Sequence, residues 1–422
     1  MSTTSHAATP AGAAGSSAAH IDLLAAWRPG GFLMEQGGEG VGGSGELRRV
    51  DVPAGPEQPA RAAQLAEAAL ADLGVDGAVI AGALPFRGDM PGTLTIPQAV
   101  TVTSIAPRRL DLGSGGHRGR GEVSPRTNLR FPPGDPTSGL RWRAEPDVGV
   151  YAAAVAEAIA RIRAGELEKV VLTRSLVAAN PGLDVAGLLA GLRRRDPGCH
   201  LFAAPAGGGG TFAGASPETL VRREGDRVVS LPHAGTAARS SEPGRDRELA
   251  EALLRSTKNR HEHAAVVEAV ADALAPHCAD LRVDPEPHLA ATAAVWHLAT
   301  AVRGRLRRPA PSALALAAAL HPTPAVCGTP EAAAGALIAR LEPVSRGLYS
   351  GLVGWVDSRG DGEWAVSLRC ALVTGETVRI HAGAGIVAGS RPDLEVAETE
   401  AKFRTILEAL EACASTPGEV PA

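Results

Sequence analysis

Glu395, Glu398 and Lys402 stand at spacings of three and four in VRIHAGAGIVAGSRPDLEVAETEAKFRTILEAL, residues 378–410. On a helix turning about 100° per residue they share one flank. Two carboxylates and an ammonium gathered where a flank meets the body of a protein are costly unless paired or bound to an ion. Such a group suits a divalent cation and an anionic ligand, or else an ordinary semi-buried ion pair. Four more residues have chemistry in reach. Lys169 opens the β-branched run EKVVLTRSLVA, where a lysine is ordinarily a solvated strand end. Glu218 follows Ser216-Pro217, which fixes a turn and puts one carboxylate at a defined point. Glu262 precedes Val266 and Val270 by one and two turns, on the inward face of a helix. Arg369 stands among small residues: counted by twos, Ala365, Ser367, Arg369 and Ala371 share a face. That pattern predicts a cavity with one cationic prong for a carboxylate, or a pair with an acidic side chain.

Two tempting motifs fail on spacing. RHEHAAVVE would need histidine at Ala265 to be a zinc helix, so the histidines beside Glu262 read as hydrogen-bonding or exposed groups. GAGIVA satisfies a loose dinucleotide pattern, but Ser390-Arg391-Pro392 separates it from the helix, so pyrophosphate would not meet a helix N-terminus.

The elements that must position these residues follow from periodicity. Residues 378–386, a glycine-rich turn and a helix form the C-terminal unit, with Val396, Thr399, Phe403, Ile406, Leu407 and Leu410 as the helix's apolar face. Glu400, Arg404 and Glu408 fall on its solvated side. Residues 61–73 and 147–164 read as amphipathic helices, the second with Val150, Ala154, Ile159 and Ile162 inward and Gly165 as its stop. Residues 245–278 read as one long helical region. GAVIAGALPF, TLTIPQAVTV and VWHLATAVRGRL each read as a strand, with His297 in the last as a core histidine rather than a pocket wall. EWAVSLRCALVTGETVRIHAGAG reads as a hairpin turning at Thr374-Gly375-Glu376. Residues 1–18 read as a disordered lead, 19–412 as one catalytic domain, 413–422 as a flexible tail, and 110–145, rich in Gly, Pro and Arg, as a long loop.

With 422 residues, 45% hydrophobic and 21% charged, the chain has ample material for a large core. A net charge of −4 gives no electrostatic case for nucleic acid or an anionic membrane surface. Five scattered cysteines without a CxxC pair suit reduced thiols better than a disulfide framework or a zinc site. With no long apolar span and no charged-then-apolar N-terminal pattern, the expected location is the cytoplasm.

GAGIV, then Ser390 and Pro392, then E-x-x-E-T-x-x-K over residues 395–402 resemble the C-terminal signature of the chorismate-utilising enzymes, among them anthranilate, aminodeoxychorismate, isochorismate and salicylate synthases. The resemblance covers nearly the whole chain. EKVVLTR resembles the isochorismate and salicylate synthase block, in which the lysine activates water; anthranilate synthases commonly carry glutamine there. Ala234 stands where aminodeoxychorismate synthases have a nucleophilic lysine, which disfavours that branch. LHPTPAVCGTP resembles isochorismate synthases of the catecholate-siderophore type. LPHAGTAARS departs from their usual block, with His233 for leucine and Thr236 for serine, and leaves the subclass open.

The resemblance implies an α+β fold, a large single domain with antiparallel sheets sandwiched and helices packed outside. It implies an isochorismate synthase, with a salicylate synthase or a non-catalytic homologue as rivals. Lys169 would be the base and Glu218 the general acid. Mg2+ would be held by Glu262 and Glu398, with Glu395 nearby. Arg369 would bind the enolpyruvyl carboxylate of chorismate, with Gly235, Thr236, Gly383 and Lys402 completing the cradle and Ala325 and Tyr349 as further contacts. A downstream isochorismate-using enzyme is the implied partner.

Overall fold

Alternation along the strands sets the layers. In the strand Phe32–Gln36, Leu33 faces one way and Phe32 and Met34 the other; in His200–Ala206, Leu201 and Ala203 alternate with Phe202 and Ala204. In Val79–Leu84, Val79, Ala81 and Ala83 take one face while Ile80 and Leu84 take the opposite one. Phe32, Met34, Phe202 and Phe212 meet Val79, Ala81, Val353 and Trp355 in a core between two sheets. Helices cover the outer faces. Leu188, Leu192, Phe403, Leu407 and Leu410 pack on one sheet, and Ala62, Leu70, Leu314 and Val270 on the other. The expected sandwich with helices outside is what forms.

The computed structural model describes residues 21–103 and 140–414. The lead over residues 1–18, most of the loop expected over 110–145, and residues 415–422 of the expected tail lie outside the described residues. The described end of that loop, Arg143–Glu145, is a strand, and the last helix, Pro392–Ala414, runs on into the expected tail. Among the described residues no helix is long and apolar enough to cross a membrane.

The described strands form sheets of ten, nine and three, with every pairing antiparallel. Lys169–Ala179 pairs along Thr377–Ile386 in the ten-stranded sheet, and the expected turn at Thr374–Glu376 joins Cys370–Val373 to Thr377–Ile386. Phe403, Ile406 and Leu410 are almost fully buried, each worth about 1.5–3 kcal/mol to the docking of the last helix.

Two neighbouring segments pass from one large sheet to the other. Gly210–Ser216 lies in the ten-stranded sheet; the chain then crosses through Pro217-Glu218 to Thr219–Glu224 in the nine-stranded sheet. Gly362–Val366 lies in the nine-stranded sheet and crosses through residues 367–369 to Cys370–Val373 in the ten-stranded one. The crossings are bonded to each other. Val366 N–H donates to the Glu218 carbonyl (3.2 Å), Ser216 Oγ to the Val366 carbonyl (2.5 Å), and Ala215 N–H to the Arg369 carbonyl (3.1 Å).

This corrects the reading of EWAVSLRCALV as one strand. The period of two breaks after Val366, and Arg369 sits at φ +49°, where a side chain is strained. The same switching splits two other expected strands. TLTIPQAVTV becomes Gly92–Ile96 and Ala99–Thr103, and VWHLATAVRGRL becomes Val295–Ala299 and Val302–Leu306, the halves going to different sheets. The 245–278 region is two helices, Pro243–Arg255 and Thr257–Leu274, broken at Ser256, whose hydroxyl accepts from the Asn259 N–H. In Val148–Arg163 the phase is one residue off at its start: Val150 is exposed, while Tyr151 is buried and donates to the Leu172 carbonyl at 3.2 Å.

Candidate active site

Lys169 stands at the first residue of its strand, yet its side chain is 9% exposed and its ammonium lies 2.7 Å from Glu262 Oε1. The solvated-end reading fails because the Thr257–Leu274 helix brings Glu262 over the strand. Burial pushes the Glu262 pKa up, but the charge and hydrogen bond of Lys169, together with the charges of Lys258 and Lys402, overcome it and hold the carboxyl below its ordinary range. His263, next door, faces away and bonds Thr300 Oγ1 at 2.7 Å; His261 is exposed.

Glu218 and Arg369 occupy the two adjacent crossings. Glu218 is buried, and burial pushes its carboxyl up to about 7 against the pull of a hydrogen bond from the His233 main chain and of Arg369 and Lys169. A carboxylic acid in that range can give a proton near neutral pH. Arg369 is 6% exposed and makes no ion pair among the described residues, so the acidic-partner alternative is not what is found. Its Nη2 instead donates to His297 Nε2 at 3.3 Å. With Nε2 accepting, the proton is assigned to Nδ1, which lies 3.2 Å from both the Gly235 carbonyl and Thr236 Oγ1. Burial, then Arg369, keeps this imidazole neutral. His297 is therefore a pocket wall that orients Arg369, not an inert core residue.

On the last helix Lys402 Nζ donates to Glu398 Oε1 at 2.6 Å and to the Gly383 carbonyl at 2.8 Å. Gly383 has no room for more: a Cβ there would lie 2.8 Å from Thr173 Cγ2. Gly235 sits at φ +73°, where glycine is favoured, with Asn259 against it. Tyr349 is buried and stacks on His381, ring centroids 5.2 Å apart.

One pocket is lined by Lys169, Glu218, Glu262, Arg369, Glu398 and Lys402, with Gly235, Thr236, Ala325, Tyr349 and Gly383 between them. Of the residues singled out from sequence, Glu395 alone is not in that lining. It is buried in the first turn of its helix, takes a hydrogen bond from Ser390, and burial raises its pKa. Among the described residues no three His, Cys, Asp or Glu side chains gather as metal ligands, so Glu262, Glu398 and Glu395 do not form a three-carboxylate cluster. Two pocket carboxylates remain, each holding a lysine. That hard, sparse oxygen set fits Mg2+, which takes one or two carboxylates and fills its shell with water and ligand oxygens.

Sequence reasoning passed over Gly385. Its missing side chain leaves the space beside the Lys169–Glu262 pair: a Cβ would lie 3.1 Å from Glu262 Oε1 and 3.1 Å from Lys169 Cε. The strand register, Gly385 against Val171, holds the signal that could have found it. Arg346 was missed too. Fully buried beside Glu342 (2.7 Å), it donates to the carbonyls of Val326 and Val171, both at 2.7 Å, and so ties the Ala325 wall to the Lys169 strand.

Fold and pocket together describe a site suited to a small anionic substrate, lined by a buried lysine and a buried carboxyl. The chain belongs to the chorismate binding enzyme family, whose model matches residues 127–411. It is 46% identical over 272 residues to isochorismate synthase DhbC of Bacillus subtilis (63% of this chain, 68% of the relative). It is 38% identical over 358 residues to isochorismate synthase EntC of Escherichia coli K12 (85% and 87%). In three dimensions it is similar to a crystal structure named as a 2,3-dihydroxybenzoate-specific isochorismate synthase, DhbC of Bacillus anthracis. The TM-score is 0.80 at 37% identity, covering 92% of this chain and 99% of that one.

Proposed function

We infer that the protein is an isochorismate synthase, converting chorismate to isochorismate. The relatives' activity supports this, and the observation that carries it in this chain is one pocket holding a buried lysine and a buried carboxyl of raised pKa. Lysine at position 169, rather than glutamine, favours water over ammonia as nucleophile.

In this reading Lys169 takes a proton from water as its oxygen bonds to C2. The two ring double bonds each shift one position, and the C4–O bond breaks. Glu218 gives its proton to the departing hydroxyl, which leaves as water. One proton is taken up and one released, so the net change is an isomerisation. Arg369, aimed by His297, holds the enolpyruvyl carboxylate, and Lys402 with Gly235, Thr236 and Gly383 shapes the rest of the cradle. Glu262 and Glu398 would hold Mg2+, which supplies charge neutralisation for the ring carboxylate; Glu395 stands behind them. A cytoplasmic location and a downstream isochorismate-consuming partner belong to the same reading.

Chromatography of the products from purified protein, chorismate and Mg2+ tests it. Isochorismate alone is expected. Salicylate with pyruvate would make the protein a salicylate synthase, and no turnover would leave a binding protein.

A further inference from the structure

His233 is 8% exposed, lines the pocket, and neither ring nitrogen finds a hydrogen-bond partner among the described residues. Polar atoms so deeply buried are ordinarily paired, and leaving them unpaired is unfavourable. Glu218 Oε1, in the same pocket, is likewise unpaired among the described residues. The two residues are joined, since the His233 main-chain N–H donates to the Glu218 carboxyl. The ring cannot turn freely: it stacks on His297, centroids 5.9 Å apart and planes 18° from parallel.

The chemistry of the ring selects what it meets. Burial, then the neighbouring His263, holds His233 down to about 3, so it is neutral and offers one N–H and one lone pair. A carboxylate accepts only and is served here by Arg369 and Lys402. A hydroxyl both gives and accepts, and so complements a neutral imidazole. We propose that His233 binds the C4 hydroxyl of the substrate and holds it against Glu218, acting as a positioning residue for the leaving group. This rests on the isochorismate synthase reading, in which Glu218 protonates that hydroxyl.

The test is calorimetric binding of two chorismate analogues that differ only at C4, one with the hydroxyl and one with hydrogen. Wild type, His233→Leu, His233→Asn and His233→Gln are compared. Leucine keeps the bulk and loses both polar atoms; Asn and Gln each keep a donor and an acceptor. Wild type should prefer the hydroxylated ligand by roughly tenfold or more. His233→Leu should shrink that preference to within about twofold, and Gln or Asn should recover part of it. Full preference in His233→Leu overturns the proposal. So does an equal loss for both ligands, the mark of a packing role. If the leucine variant does not fold, Asn and Gln decide: neither keeping any preference overturns it. Wild type binding both ligands alike overturns the His233 assignment alone. Wild type binding neither overturns the reading of the pocket as well.

Discussion

The Lys169 ammonium lies 2.7 Å from the Glu262 carboxylate, and the two come from different layers: Lys169 from the ten-stranded sheet, Glu262 from a helix on the far side of the pocket. In the proposed mechanism Lys169→Ala removes the proton acceptor and leaves Arg369 and Lys402 in place for the substrate's anionic groups. Turnover should fall by about 10²–10⁴-fold with chorismate affinity nearly kept. Turnover and calorimetry on the same preparation decide it; near-normal turnover removes Lys169 from the chemistry.

The metal reading separates carboxylates on one helix. Glu262→Gln and Glu398→Gln should each raise the Mg2+ concentration for half-maximal rate by roughly tenfold or more, since each removes a charged ligand from a hard cation. Glu400→Gln should leave that concentration unchanged. Glu400 faces the buried Arg174 at 3.7 Å rather than the pocket. Mg2+ titrations of rate would show the difference, and equal effects at 398 and 400 would sink the assignment.

Glu218 has two pH signatures. In the proposed mechanism its protonated form is the proton donor, so kcat/KM should fall as pH rises through about 7, and in Glu218→Gln a much lower rate should lack that limb. Its folded pKa is raised, so its contribution to stability is full below the unfolded value of about 4.3 and is lost as pH rises through about 7. Glu218→Gln should therefore be the more stable protein at pH 9, by on the order of 3 kcal/mol. Urea unfolding at pH 5 and pH 9 measures this. No gain at pH 9 would mean the carboxyl is not held protonated by its surroundings.

Gly385→Ala should behave unlike Gly214→Ala. The first puts a methyl against the movable ends of Lys169 and Glu262. It should cut kcat/KM by roughly 10- to 100-fold with little change in unfolding temperature. The second drives a methyl to 2.8 Å from the Arg369 carbonyl and 2.5 Å from Cys370 Cβ, where backbone must move, and should destabilise the fold. Paired melting curves and rates separate the two.

Arg346→Met should cost about 3–5 kcal/mol by leaving Glu342 buried without its cation. Chemical denaturation reads it directly, and a cost below about 1 kcal/mol would show that the pair can relax into solvent.

Where one element's own period places a residue, the sequence was enough. The last helix showed Glu398 and Lys402 on a common flank and Phe403 and Leu410 inward, because a helix's phase needs no partner to read. Glu262 followed from the same reasoning. Arg369 was found but misplaced: a period of two presumes one sheet, and its segment changes sheets just before it. Glu395 shared the right flank, yet in the first turn it is buried against Ser390 and does not line the pocket. The neutral wall at His297 and the Arg346–Glu342 tie depend on partners far away in sequence, with nothing local to mark them.

The paired crossings give the pocket an unequal response to motion. Glu218 and Arg369 are stitched together where two neighbouring segments cross between the sheets, so a small slide of one layer over the other would carry the proposed proton donor and anion anchor together. Lys169 and Glu262 meet through their side chains, at 2.7 Å, rather than through a shared crossing, and would feel the slide as a change in their own separation. Breathing of the sandwich would thus leave Glu218 and Arg369 in step while opening and closing the gap beside Lys169, where the proposed mechanism has the attacking water enter.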